Sequence, residues 1–284
     1  MLKKLPADLE IISDISADSI REIDFFYPSD NLKVRGLLFL PEKQNPPFEL
    51  IVFNHGGVKG IYEGIRIISR MLARDYSFAV FAPSYRGEDG SGGKIEIASG
   101  EVDDVLNGLY LLLKNNLFDK EKIYMVGSSH GALITLIAMA NDSKGIIKKG
   151  VFGYGIADIF KWWKYLEDNE LLDDLDVSGS LYPGTPDELP DYYHKRNGIE
   201  YISKIKFPLL IIHGDNDHIV PLEQAHILKN AADNAGIKNV TLEIIPDGWH
   251  GLLTERKTLP DGSFHLVKEC ANAWQIILDF LTGT

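Results

Sequence analysis

Apolar residues recur along this chain in two spacings, and the spacings alternate. Short apolar runs occur at Leu50-Ile51-Val52-Phe53, Phe78-Ala79-Val80-Phe81-Ala82 and Leu209-Leu210-Ile211-Ile212, and further strands are expected at Lys122-Ile123-Tyr124-Met125-Val126 and residues 149–154. They have the length and composition of strands buried on both faces. Between them lie helical patterns at residues 64–74, 101–114, 132–140 and 222–235. In the second, Val102, Val105, Leu106, Leu109, Leu112 and Leu113 share a face, whereas 132–140 is apolar all round and reads as a buried helix. A further strand is expected at 240–245 and a last helix near 264–281. This alternation predicts an α/β fold with a mostly parallel sheet and crossover helices on both faces.

Two regions depart from the rhythm. Residues 20–27 and 33–40 are separated by Pro28-Ser29-Asp30-Asn31-Leu32, which predicts an antiparallel hairpin at the start of the fold, followed by a proline-rich loop at 41–47. Residues 156–206 hold Trp162, Trp163, an acidic run (Asp173, Asp174, Asp176) and Pro183-Gly184-Thr185-Pro186. They read as a small helical cap inserted into a single domain spanning residues 1–284. Its aromatic residues, Tyr165, Tyr182, Tyr192 and Tyr193 among them, either line a pocket or pack the cap onto the sheet.

Charge and cysteine content narrow the function. The 284 residues carry 29 basic and 41 acidic side chains, a net charge of −12. That excludes a general nucleic-acid binder and disfavours an anionic membrane surface as partner. A single cysteine, Cys270, allows no intramolecular disulfide and no multi-thiolate zinc site, and it reads as a small apolar residue of the last helix. The first residues lack an apolar signal region, and no run reaches the roughly 18 apolar residues of a membrane span. A soluble, cytoplasmic protein is expected.

The chemistry concentrates at three strand ends. Gly127-Ser128-Ser129-His130-Gly131 joins a strand to an apolar helix, the setting of a nucleophile elbow. Small residues permit the sharp turn, and the hydroxyl of Ser129 meets the positive end of the helix. A serine needs a base, and the base needs an orienting carboxylate. After strand 209–212 come Asp215 and Asp217, either of which can supply the carboxylate or shape the turn. After strand 240–245 comes His250, flanked by glycines, whereas His265 reads as the opening of the last helix. Donors for an oxyanion are expected from the backbone N–H of His130 and from that of Gly57 in Asn54-His55-Gly56-Gly57. The plainer role for the side chains of His55 and His130 is to orient their loops. Trp162, Trp163, Tyr85 and Arg86 are candidate pocket residues; Arg86 can bind a substrate carboxylate or pair with Glu88 or Asp89.

In order along the chain, His55-Gly56-Gly57, Tyr85-Arg86-Gly87 with Gly90 and Gly92, Gly127-x-Ser129-x-Gly131, His213-Gly214-x-x-Asp217-x-x-Val220-Pro221 and His250-Gly251 follow a known series. The sequence resembles the α/β-hydrolase superfamily, and within it the catalytic domain of the prolyl oligopeptidase family, from about residue 20 to the end. The resemblance implies a Ser129–Asp217–His250 triad, an oxyanion hole at Gly57 and His130, and neither metal nor organic cofactor. Peptidases of that family usually carry a long N-terminal β-propeller, and nothing in this sequence is long enough to be one. His130 and Ala132 stand where the family often has an aromatic residue and a second glycine, and no acidic residue is assignable to a peptide amino terminus. These departures favour an esterase-like member acting on a small ester, with a peptidase or amidase on short or acylated peptides as the alternative. Thioesterase, acyltransferase and non-catalytic binding roles rank below both.

Overall fold

The computed structural model describes residues 5–172, 181–258, 264–269 and 271–283, with 254–258, 264–269 and Ala271 as backbone. The acidic run 173–176 and Cys270 lie outside the described residues. Nine strands form one sheet: β1 (Glu10–Ala17), β2 (Ile20–Ser29), β3 (Leu32–Pro41), β4 (Phe48–Asn54), β5 (Ala79–Pro83), β6 (Phe118–Ser128), β7 (Lys149–Gly153), β8 (Leu209–Gly214) and β9 (Val240–Ile245). Their spatial order is β1-β2-β3-β5-β4-β6-β7-β8-β9. The first three are antiparallel to their neighbours, and from β5 to β9 every pairing is parallel.

Alternation along each central strand divides the core in two. Leu50 and Val52 of β4, Ile123 and Met125 of β6, and Leu209 and Ile211 of β8 pack on one side, with helices α2 (Gly100–Leu112), α3 (His130–Asn141) and α6 (Glu223–Asn234). Ile51 and Phe53, Tyr124 and Val126, and Leu210 and Ile212 pack on the other, with α1 (Glu63–Tyr76) and α7 (Ala271–Thr282). Both faces being covered explains the unbroken apolar runs.

The hairpin, the central strands and the four internal helices lie where the sequence pattern puts them. Two elements do not. β1 pairs only with β2, and its Ile11, Ile12 and Ile15 are exposed, so burial imposes no pattern on it. The last helix begins at Ala271 rather than near 264. Phe264–Glu269 is instead a strand, β11, paired antiparallel with β10 (Thr254–Thr258), so His265 lies in a hairpin and opens no helix. Phe264, Leu266 and Val267 are as compatible with a strand as with a helix, and the pairing with 254–258 decides the conformation.

The 156–206 region contributes α4 (Ile159–Asp168), α5 (Pro190–His194) and two 3₁₀ turns, Gly198–Glu200 and Ile202–Lys204. Trp162, Trp163, Tyr182 and Tyr193 form a third apolar cluster with Ile97 and Val220. Among the described residues, no helix is long and apolar enough to cross a membrane.

Candidate active site

Parallel register carries the strand ends to one edge. Asn54 of β4 stands beside Gly127 of β6, and Ser128 beside Gly153 of β7. Ser129 then turns the chain from β6 into α3 with φ 54° and ψ −120°, a backbone outside the regions a side-chain-bearing residue ordinarily occupies. The turn is held by Ser129 N donating to Gly153 O at 2.9 Å and by Ala132 N donating to Ser129 O at 3.0 Å. Gly131 is required by close approach: a Cβ there would lie 2.2 Å from Asn54 O and 2.4 Å from His55 O.

Ser129 Oγ lies 3.0 Å from His250 Nε2, and His250 Nδ1 lies 2.8 Å from Asp217 Oδ2. The other carboxylate oxygen of Asp217 accepts from Ile219 N and Val220 N, both at 2.9 Å. Fully buried His213 places Nε2 2.8 Å from Val220 O and 3.4 Å from Asp217 Oδ2. Burial alone pushes the Asp217 carboxyl up. The histidines His213 and His250 and the Val220 N–H outweigh it and hold the group well below the usual carboxylate range.

The loops bearing Asp217 and His250 are joined through backbone. Asn216 N donates to Gly248 O at 2.9 Å, and Asp215 N donates to Ile245 O at 3.2 Å. A Cβ on Gly214 would sit 2.1 Å from Gly248 O, so the contact needs glycine. Asp215 accepts from Asp247 N at 2.6 Å, which makes it the turn-shaping member of the Asp215/Asp217 pair. Behind His250, buried Leu252 and Leu253 enter the core, and Trp274 Nε1 of α7 donates to Leu253 O at 3.0 Å.

On the opposite flank lies the loop after β4. Gly56 packs so closely that a Cβ would lie 3.0 Å from Ser129 Cβ. His130 is the first residue of α3, where a backbone N–H has no intrahelical acceptor. A cavity of about 410 Å³ opens between the flanks, reaching Ser129, His130, Gly57 and His250. Ile97, Leu133, Ile156, Trp162, Leu181 and Val220 are among its apolar walls. None of the described residues lining it is Asp, Glu, Lys or Arg.

The profile of the prolyl oligopeptidase family matches residues 68–266, well over half of the sequence. The chain belongs to the prolyl oligopeptidase family. It is 27% identical over 214 residues to an uncharacterized peptidase of Bacillus subtilis, YtmA, covering 74% of this chain and 79% of that one. It is 26% identical over 276 residues to acylamino-acid-releasing enzyme 1 of Oryza sativa subsp. japonica, covering 87% of this chain but only 34% of that enzyme. Among solved structures, the uncomplexed acylaminoacyl peptidase of Pyrococcus horikoshii has the same fold, with a TM-score of 0.73 at 22% identity over 93% of this chain and 41% of that one. The protein is a serine hydrolase with the α/β-hydrolase fold.

Within this family member, three of the four expected pocket residues lie elsewhere. Arg86 turns into a buried network, giving Nε to Asp104 Oδ2 at 3.0 Å and Nη2 to Asp104 Oδ1 and Asp30 Oδ2, each at 2.9 Å. Neither Glu88 nor Asp89 is its partner: Glu88 faces His55 at 3.2 Å, and Asp89 accepts from Ile61 N at 2.8 Å. Tyr85 is buried behind the β4 loop, stacked on His55 at 4.3 Å with its hydroxyl donating to His55 O. Trp163 packs against Tyr182 and Tyr193 and donates to Glu167. Only Trp162 lines the cavity, with Nε1 donating to Ile219 O at 2.9 Å.

Tyr154 is a site residue that the sequence reading overlooked. It follows β7 with φ 38°, lines the cavity, and stands edge-on to His250 at 5.0 Å. Burial pushes its phenol well above the ordinary value, keeping the ring neutral. Its position just beyond the carboxyl end of a parallel strand, where open α/β sheets place their ligands, was the available signal.

Proposed function

We propose that this serine hydrolase cleaves small, uncharged acyl substrates, carboxylic esters foremost, through Ser129, His250 and Asp217. The observation that carries the reading is the continuous hydrogen-bonded series Asp217–His250–Ser129 opening on an apolar cavity. His250 Nε2 takes the Ser129 proton as Oγ attacks the carbonyl carbon. Asp217, kept ionised by its own hydrogen bonds, fixes the Nδ1–H tautomer and stabilises the imidazolium. The N–H groups of Gly57 and His130 face the developing oxyanion, each worth about 3–4 kcal/mol in such sites. The tetrahedral species collapses as Nε2–H passes its proton to the leaving oxygen, giving an acyl-enzyme. Water attacks that ester with His250 again as base, releasing the acid and restoring Ser129.

The cavity walls fit an apolar acyl group, because a charged one would lose hydration with no opposite charge to receive it. The same observation favours a second reading, short peptides whose amino terminus is acylated and therefore neutral. Similarity to acylamino-acid-releasing enzymes supports it, although the chain spans only about a third of the length of those relatives.

Matched p-nitrophenyl acyl esters and N-acylaminoacyl p-nitroanilides separate the two. Ester turnover that disappears in Ser129→Ala, with anilides inert, is the expected result. Anilide turnover comparable to ester turnover replaces the esterase reading with the peptidase one. Full activity in Ser129→Ala overturns the assignment of the nucleophile.

A further inference from the structure

The side chain of His130 joins the two loops that border the reacting carbonyl. Its Nδ1 lies 3.1 Å from Gly57 O, and its Nε2 lies 2.9 Å from Ala98 N. A backbone N–H only donates and a carbonyl only accepts, so both contacts are satisfied by one form alone: neutral imidazole with the proton on Nδ1. Protonating Nε2 would set two N–H groups against each other at Ala98. The ring is buried, which lowers its pKa and favours the neutral form. Tyr85 stands edge-on to it at 6.2 Å.

Both tethered segments need holding. Gly57 has φ 71°, and its N–H is one of the two oxyanion donors in the reading above. Ile97 and Ala98 have φ 55° and 52°, uncommon for residues with side chains, and Ile97 forms part of the cavity wall. Glu101 grips the same stretch, its carboxylate accepting from Glu96 N, Ile97 N and Ser99 N at 2.6, 3.1 and 3.0 Å. Only the Ala98 N–H in this run is given to His130.

We propose that His130 is a positioning residue with two separable duties: Nδ1–H sets the Gly57 oxyanion donor, and Nε2 holds Ala98 and through it the adjoining Ile97 wall of the acyl cavity. This rests on the nucleophile and oxyanion assignments made above. One side chain thereby ties transition-state stabilisation to acyl-group recognition, while the backbone N–H of the same residue completes the oxyanion pair.

The two duties are tested with two isosteric replacements. In His130→Asn, the side-chain NH₂ can replace Nδ1–H, and nothing reaches Ala98. In His130→Gln, the amide oxygen can replace Nε2, and the bond to Gly57 is lost. The expected result with p-nitrophenyl acyl esters is a split. Asn keeps kcat within about threefold and raises KM several-fold for the acyl chains that contact Ile97. Gln lowers kcat about tenfold or more at nearly unchanged KM, short of the roughly hundred- to thousand-fold loss from deleting an oxyanion donor outright. His130→Leu combines both losses.

Identical kinetics for Asn, Gln and Leu, or wild-type kinetics in all three, overturn the inference. The unmodified protein gives a second test independent of variant folding. Ring ¹⁵N shifts should show His130, one of eight histidines, as the Nδ1–H tautomer at neutral pH. An Nε2–H tautomer or an imidazolium there contradicts the proposal. Ser129→Ala run alongside separates the two levels: activity surviving in it removes the underlying reading, whereas its loss together with an absent Asn/Gln split removes the His130 inference alone.

Discussion

The two flanks of Ser129 are held in different ways. On the side of Gly57, loops are fixed by buried polar side chains: Glu101 on the backbone N–H groups of Glu96, Ile97 and Ser99, His130 across Gly57 and Ala98, and Arg86 on Asp104 and Asp30. On the side of His250, side chains hold loops too, Asp217 on Ile219 N and Val220 N and Asp215 on Asp247 N, but the two loops are also joined to each other backbone to backbone, and the imidazole, about one-fifth exposed, is held by Ser129 and Asp217. The difference follows the chemistry each flank is assigned. Oxyanion donors stabilise charge best when already fixed, so nothing need reorganise as the charge forms. An imidazole that gains and loses a proton each turnover needs a partner whose bond strengthens when it is charged, and access to water. Asp217 provides the former.

Four measurements sharpen this contrast, beginning with the largest effect. Ser129→Ala should lower kcat for an acyl ester by on the order of 10⁶-fold, and Asp217→Asn by on the order of 10⁴-fold by allowing the wrong tautomer of His250. Steady-state kinetics on folded protein tests both.

Arg86→Leu comes next and acts on stability. It leaves Asp104, which is fully buried, without its cation, so unfolding free energy should fall by about 3–5 kcal/mol in denaturant titrations. Because Arg86 lies outside the cavity, KM for neutral esters should not change. A selective rise in KM for substrates bearing a carboxylate would instead restore the substrate-binding role.

A smaller effect concerns pH. Asp217 is held below the usual carboxylate range in the folded chain, so its contribution to stability is present above the unfolded value of about 3.9 and declines as pH falls through the folded one. The stability gap between wild type and Asp217→Asn should therefore be constant from neutral pH to about 5 and narrow only in stronger acid. A gap that widens on acidification contradicts the sign.

Trp162→Phe is the mildest. It keeps an aromatic wall but removes the hydrogen bond to Ile219 O, whose own N–H holds Asp217. A loss of about 1 kcal/mol, seen as a several-fold drop in kcat/KM, is expected.

The same two flanks show what the sequence could reveal. Strands buried on both faces announce themselves, as Leu50–Phe53 and Leu209–Ile212 do, because every position must be apolar. The residues now proposed as triad follow the ends of β6, β8 and β9, and nearby glycines mark the turns, so local pattern pointed to them. β1 was invisible because exposed Ile11, Ile12 and Ile15 follow no burial pattern, and Phe264–Glu269 was misread because its strand character depends on pairing with Thr254–Thr258. Arg86 was misplaced for the same reason at greater range: Asp30 and Asp104 reach it only after folding. The tether at His130 was equally hidden, since Gly57 and Ala98 are 73 and 32 residues away.

The central claim is that Ser129 is the atom acylated during turnover. Reaction with a fluorophosphonate, followed by intact-mass measurement and peptide mapping, tests it most directly. A single phosphonyl adduct on Ser129, forming in step with loss of ester hydrolysis and absent from Ser129→Ala, is the predicted result. An adduct on another residue that tracks the loss of activity, or full hydrolysis by quantitatively labelled Ser129, would contradict it.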